Sequence, residues 1–218
     1  MENKNFSAIV LAAGKGTRMD SQKPKVLMEI GGRPMIEYTI EKLNSLRVSE
    51  IILVVGYGAE DVKTCLGPRC RYAHQEIPQG TGDAVKVGLR EVSKISDTVM
   101  VLYGDDSAFY KVETLKKFLA SHMEGENAVS VITADQPQTE RVGRIIRDEN
   151  GKFKLTMEVW EYEKSGLYSD EINCCVYLFD KKWLKNHINK IKNDNNKGEY
   201  RITDILNIAH KEGTKVGL

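Results

Sequence analysis

The sequence predicts an α/β fold: a mostly parallel central sheet covered on both faces by helices, with a small β-rich lobe over about residues 140–180. Three observations predict it. The strand-like runs are continuously apolar rather than alternating, which is how strands buried on both faces read. Segments with helical spacing separate them, so successive strands are joined by crossovers and lie parallel. Beyond about residue 140 this rhythm gives way to short runs flanking Asp148-Glu149-Asn150-Gly151, where Asn-Gly marks a hairpin.

The elements follow in order. Ser7 to Ala12 reads as the first buried strand. Pro34 to Leu46 places Met35, Ile36, Ile40, Leu43 and Leu46 at helical spacing, with proline at an early position where its missing N–H costs nothing. Ile51 to Val55 is a second strand, stopped by Gly56-Tyr57-Gly58, and Ala59 to Leu66 a short helix. Arg71 to Ala73 is a weak third strand. A helix over Asp83 to Val92 is entered through Gly80-Thr81-Gly82. Thr98 to Tyr103 and Ala128 to Thr133 are strands on either side of a helix at Val112 to His122. Arg144 to Arg147 and Lys152 to Met157 form the hairpin arms. Glu171 to Phe179 is a late strand, in which simple alternation puts Asn173 and Cys175 on one face. A helix around Lys181 to Ile191 and a polar loop at Asn193 to Gly198 follow. The last helix is Thr203 to Lys211, with Thr203 as its expected N-cap.

Composition narrows the function classes. Among 218 residues, 32 Lys and Arg balance 31 Asp and Glu, a formal charge of +1, so a generic nucleic-acid coat is disfavoured. The longest apolar runs, Ala8 to Ala13 and Cys174 to Phe179, span about six residues where a membrane helix needs ~20. The opening residues lack the pattern of a secretory signal. Four cysteines, at 65, 70, 174 and 175, show no Cys-x-x-Cys spacing and no disulfide framework. The four histidines are scattered, which gives zinc little support. The expectation is one reduced, cytoplasmic domain over residues 1–218, without nucleic-acid or membrane partners.

Two features carry chemistry. Leu11-Ala12-Ala13-Gly14-Lys15-Gly16-Thr17-Arg18-Met19 directly follows the first strand. Its glycines let backbone N–H groups approach phosphate oxygens, and Lys15 and Arg18 add charge. It is either such a cradle or a plain strand-ending turn, and it matches neither the Walker A nor the dinucleotide pattern. Lys23-Pro24-Lys25 can add a second cationic wall at the carboxyl end of the strand, where open α/β sheets place ligands. Asp105 follows an apolar strand and a glycine, a place for a metal-binding carboxylate or a turn-capping one. Asn173 lies in an otherwise apolar strand, so it requires a partner, whether a ligand or the protein itself.

The order Leu-Ala-Ala-Gly-x-Gly-Thr-Arg-Met, Pro-Lys, Gln75, Gly80-Thr81-Gly82-Asp83, Gly104-Asp105, Gly143, Glu158, Asn173 and Gly198-Glu199-Tyr200-Arg201-Ile202-Thr203-Asp204-Ile205 resembles the sugar-phosphate nucleotidylyltransferases. It is most similar to the uridylyltransferase domain of the bacterial N-acetylglucosamine-1-phosphate uridylyltransferases, over about residues 6 to 216. The resemblance implies a Rossmann-like nucleotide-diphospho-sugar transferase fold whose small lobe serves the sugar. It implies nucleotide contacts from Leu11, Ala12, Ala13, Gly14, Gly16 and Thr17, with uracil read by Gln75, Gly80 and Thr81. Arg18 and Lys25 would hold the triphosphate, Asp105 would coordinate Mg²⁺, and Arg18, Lys25 and Asp105 together would be catalytic. Tyr103, Gly104, Gly143, Glu158 and Asn173 would hold the sugar. The substrates implied are UTP and N-acetylglucosamine 1-phosphate. Another sugar or alcohol phosphate, or a binding module without turnover, are the alternatives.

Three departures from the family pattern cluster on the sugar side. Asp105 is followed by Asp106-Ser107 rather than a residue and Pro-Leu. Asn173-Cys174-Cys175 stands for Asn-Thr-Gly, and Trp160 stands for a lysine. The family's second metal-binding asparagine and its acyltransferase domain would lie beyond Leu218. The 218 residues are therefore expected to hold the nucleotidyltransferase domain and no acyltransferase domain.

Overall fold

The computed structural model describes residues 5–16, 23–136 and 142–218. Its strands are β1 (Phe6–Ala12), β2 (Glu29–Ile30), β3 (Arg33–Pro34), β4 (Glu50–Val55), β5 (Arg71–His74), β6 (Thr98–Tyr103), β7 (Val129–Asp135), β8 (Arg144–Arg147), β9 (Phe153–Met157), β10 (Glu171–Asp180) and β11 (Val216–Gly217). Its helices are α1 (Met35–Ser45), α2 (Ala59–Leu66), α3 (Thr81–Glu91), α4 (Val112–Glu124), α5 (Val159–Ser165), α6 (Lys181–His187) and α7 (Asp204–Lys211).

The main sheet runs in the order β11-β7-β10-β6-β1-β4-β5. β5, β4, β1 and β6 are parallel, and β11 is parallel to β7. β10 is antiparallel to both of its neighbours, β6 and β7. Six of these seven strands therefore point the same way, which is the mostly parallel sheet the apolar runs predict. β1 is followed in sequence by β4 on one side and paired with β6 on the other. That reversal opens a crevice at its carboxyl end.

Burial on both faces explains the unbroken apolar runs. From β1, Ile9 and Leu11 join one core layer, while Ala8, Val10 and Ala12 join the other. The first layer packs under α3, α6 and α7 through Val85, Leu89, Leu184, Ile205 and Leu206. The second packs under α1, α2 and α4 through Ile36, Ile40, Leu43, Val62, Leu66 and Leu115. Fully burying each such side chain contributes about 1.5–3 kcal/mol.

The β-rich lobe grows out of the main sheet. β8 and β9 form the predicted hairpin, and β8 joins β10 through the single pair Ile172 and Arg144. Arg144 is only 1% exposed; its guanidinium donates to the carbonyls of Gln136 (3.1 Å) and Asp170 (3.2 Å). β9's outer edge is covered by α7: the Asn207 side chain accepts from the Thr156 N–H (2.8 Å) and donates to its carbonyl (3.0 Å).

Two local expectations are corrected. Thr203 precedes α7, but its side chain makes no capping bond; the hydroxyl donates to Glu158 Oε1 instead (3.1 Å). The alternation along β10 breaks, because its pairing with β7 shifts between Asn173 and Tyr177 and Cys175 takes φ +57°. The cause is local: Asn173 Oδ1 accepts from the Cys175 N–H (2.9 Å) and turns the chain into a bulge.

Candidate active site

The carboxyl ends of β1, β4 and β6 converge beside the entrance to α3. Leu11 and Ala12 end β1, one in each core layer, so they can offer a ligand only backbone. The Leu11 carbonyl accepts from Gly104 N–H (2.9 Å) and the Ala13 carbonyl from Tyr57 N–H (3.3 Å), which fixes the strand end against its neighbours. Gly14 and Gly16 continue outward. Gly16 has φ +65°, and a Cβ there would meet Lys25 Cβ at 2.9 Å, so glycine brings this turn against the lysine. Thr17 and Arg18 lie outside the described residues.

Lys25 opens a short 3₁₀ turn, Lys25 to Leu27, anchored by buried Val26 and Leu27. Its ammonium makes an ion pair with the carboxylate of Asp105, just past β6. The structure thus joins the predicted triphosphate ligand to the predicted metal ligand. Asp106, beside them, is raised by desolvation and then by the charge of Asp105, with Lys25 pulling the other way. A cation already sits on Asp105, and two adjacent carboxylates offer hard oxygens. Mg²⁺ usually takes one or two protein carboxylates and completes its shell with phosphates and water, so this donor set fits it. Among the described residues, no three His, Cys, Asp or Glu side chains gather as a full metal cage.

The predicted base-reading residues form a clamped loop. Gln75 follows β5 and is 5% exposed. Its Nε2 donates to Asp83 Oδ2 (2.7 Å) and to the Gly80 carbonyl (3.2 Å). Asp83's carboxylate accepts only, so the amide is oriented with its oxygen free of protein partners among the described residues. Gly80 has φ +113°, and a Cβ there would meet the Tyr200 carbonyl oxygen at 2.5 Å. The 198–202 tract explains this crowding. Tyr200 N–H donates to the Gln79 carbonyl (2.8 Å), Gly82 N–H to the Tyr200 carbonyl (2.7 Å), and Ile202 N–H to Thr81 Oγ1 (3.0 Å). The Gly-Glu-Tyr-x-Ile-Thr-Asp motif is therefore the strap that holds the base-reading loop.

The predicted sugar residues divide in two. Tyr103 and Glu158 line a cavity of about 170 Å³ together with Thr81, expected on the nucleotide side, and with Trp160, Asn195, Lys197, Glu199, Arg201 and Thr203. Burial pushes the Tyr103 hydroxyl well above its usual range, helped by the Cys175 thiol and opposed by a hydrogen bond with Thr81. Glu158 sits at the junction of β9 and α5, where its N–H donates to Glu161 Oε2 (2.9 Å). Gly143 and Asn173 meet each other, Asn173 N–H donating to the Gly143 carbonyl (3.3 Å). They do not line that cavity. Asn173 Oδ1 accepts from Tyr177 Oη (3.2 Å) as well as from Cys175, while its Nδ2 is buried without a partner. Burial pushes the Cys175 thiol up to about 12. Asn173 is thus a buried amide in the bulge of β10 whose oxygen is paired and whose Nδ2 is not.

Sequence reasoning missed the cavity's far wall: Asn195 and Lys197, in the loop just before the strap, and Arg201 within it. A larger hollow, about 630 Å³, lies at the opposite end of the sheet beside Asp97, Thr98, His122 and Asp180. No predicted site residue borders it, whereas Thr81, Tyr103 and Glu158 line the smaller one.

A family model for the MobA-like NTP transferase domain matches residues 8–204. The bifunctional protein GlmU of Lactobacillus delbrueckii subsp. bulgaricus is 39% identical over 209 residues, 96% of this chain and 45% of that protein. The bifunctional protein GlmU of Lactobacillus johnsonii is 40% identical over 213 residues, 98% of this chain and 46% of its own length. The chain thus spans about half the length of these relatives. A candidate glucose-1-phosphate thymidylyltransferase from Bacillus anthracis, in complex with a sucrose, superposes with TM-score 0.78 at 23% identity, covering 97% of this chain and 85% of that one. A UDP-glucose pyrophosphorylase complexed with UDP-glucose superposes with TM-score 0.78 at 18% identity, covering 95% and 88%. These two likenesses show the shared α/β fold. Among the described residues, no helix is long and apolar enough to cross a membrane.

Proposed function

Because this chain belongs to the MobA-like NTP transferase family, we propose that it is a sugar-phosphate nucleotidyltransferase that joins UTP to N-acetylglucosamine 1-phosphate and releases pyrophosphate. The observation that carries this is the Lys25–Asp105 pair at the crevice, together with the clamped Gln75 loop and the cavity lined by Glu158. The names of the relatives and of the structures sharing the fold support the reading: two are GlmU proteins and two act on sugar phosphates or carry UDP-glucose.

The reaction is a displacement. An oxygen of the sugar 1-phosphate attacks the α-phosphorus, a new P–O bond forms, and the bond to the pyrophosphate group breaks. The nucleophile arrives as an anion, so the protein needs no nucleophilic side chain of its own. Its work is positioning and charge neutralisation. Asp105, with Asp106 beside it, would hold Mg²⁺, whose charge offsets that developing on the phosphates. Lys25 leaves its pair with Asp105 and takes a phosphate as the substrates enter, and Arg18 is assigned to the same task.

Base choice follows from the orientation of Gln75. Its free Oε1 accepts a hydrogen bond, and a backbone N–H of Gly80 or Thr81 is assigned to donate one. Uracil's imide edge offers the matching N–H and carbonyl; cytosine has no N–H at that ring position. On the sugar side, Glu158 accepts from hydroxyls and Asn173 Nδ2 donates to an acceptor. A pyrophosphate-release assay crossing four ribonucleoside triphosphates with several sugar phosphates tests the reading. UTP with a hexose 1-phosphate should give the highest rate, dependent on Mg²⁺. Equal use of ATP or GTP would reject the uracil assignment, and no release with any pair would reject turnover.

A further inference from the structure

The cavity wall says more about the second substrate, on the basis of the sugar-phosphate reading just given. Trp160 sits in the first turn of α5, two residues after Glu158. It belongs to neither core layer, and α5 buries none of its residues, so core packing does not account for it. It lines the cavity with Glu158, Glu199 and Arg201. The Arg201 guanidinium stands 5.7 Å from the centre of the Trp160 ring. That guanidinium is already engaged: it donates to Glu161 Oε1 (3.2 Å) and to both carboxylate oxygens of Asp204 (3.1 and 3.2 Å). Its charge is matched by two carboxylates, so it braces the indole rather than seeking a phosphate.

The result is an immobilised aromatic surface beside two carboxylates that can accept hydrogen bonds. That combination has one good complement. A pyranose ring presents a flat patch of C–H groups, which packs on the electron-rich face of an indole, and equatorial hydroxyls, which donate to carboxylates. An open-chain alcohol phosphate can supply the hydroxyls but no rigid apolar face. We propose that Trp160 is a specificity-determining residue that selects a cyclic sugar phosphate over an acyclic alcohol phosphate.

Two measurements test this. The chain holds two tryptophans, and Trp183 is stacked on His187 (ring centres 4.2 Å apart), away from the cavity. In a Trp183→Phe background, emission from Trp160 should change on titration with UDP-hexose and stay constant with UDP. In steady-state assays, Trp160→Ala should raise KM for hexose 1-phosphate about tenfold and leave KM for UTP unmoved, while Trp160→Phe stays near wild type. Wild type should use glycerol 3-phosphate far less well than hexose 1-phosphate. Unchanged emission with UDP-hexose, an unchanged sugar KM in Trp160→Ala, or equal use of glycerol 3-phosphate would overturn the proposal. If Trp160→Ala does not fold, the emission titration and the Phe variant still decide it. If wild type turns over hexose 1-phosphate and Trp160→Ala equals it, only this inference fails. If wild type turns over no sugar phosphate, the function reading fails with it.

Discussion

The two halves of the cleft are built by opposite means. On the half proposed for the nucleotide, the backbone does most of the holding: two backbone–backbone bonds and one from Ile202 N–H to the Thr81 hydroxyl tie the 198–202 strap to residues 79–82, and both donor hydrogens of Gln75 are engaged. On the half proposed for the sugar, the strand is bulged, Cys175 occupies a left-handed conformation, and Asn173 keeps a buried donor unpaired. The first half has its polar groups fixed by the protein itself. The second keeps one buried donor, Asn173 Nδ2, without a partner, which under the proposed function is assigned to the ligand. Lys25 and Asp105 pair at the carboxyl end of the sheet.

Four substitutions probe this contrast, in falling order of expected effect. Asp105→Asn removes the carboxylate that pairs with Lys25 and is proposed to hold the metal. It should lower kcat on the order of 10²–10³-fold and leave circular dichroism unchanged; activity close to wild type would take Asp105 out of the chemistry. Gly80→Ala should destabilise the fold by about 2–3 kcal/mol, because the new methyl meets the Tyr200 carbonyl and the backbone angle disfavours any side chain. Urea unfolding measures this, and a loss below about 0.5 kcal/mol would mean the strap gives way easily. Asn173→Asp keeps both acceptor bonds and deletes the unpaired donor. KM for the sugar phosphate should rise about tenfold with KM for UTP unchanged; a parallel rise in both would merge the two halves. Cys175→Gly should be the mildest. Relief of the left-handed strain offsets the added freedom of the unfolded chain, so stability should stay within about 0.5 kcal/mol of wild type. A loss of several kcal/mol would show that thiol packing, not backbone geometry, governs the site.

Much of this was legible from local pattern. The bounds of α2, β6 and β8 coincide with the spans read from apolar runs and helical spacing, because buried strands and short amphipathic helices declare themselves within a few residues. α5 was not legible: Val159–Ser165 is short, mixes aromatic with charged residues and buries none of them. The bulge at Asn173 was hidden because alternation presumes an unbroken ladder, whereas one side-chain oxygen bent the chain. Thr203 had the right neighbours for an N-cap, but Glu158, 45 positions away, took its hydroxyl. The role of the 198–202 strap, and the cavity wall it carries, rests on pairings more than 100 residues apart in sequence, as between Thr81 and Ile202, which no local window reveals.

The central claim is that the chain couples the two halves in one transfer. Phosphorus NMR of a single reaction containing the protein, UTP, N-acetylglucosamine 1-phosphate and Mg²⁺ tests it most directly. The account predicts that the sugar-phosphate signal is replaced by a diphosphodiester, with one pyrophosphate appearing for each nucleotide sugar formed. Loss of UTP without any diphosphodiester, or release of pyrophosphate when the sugar phosphate is left out, would contradict it.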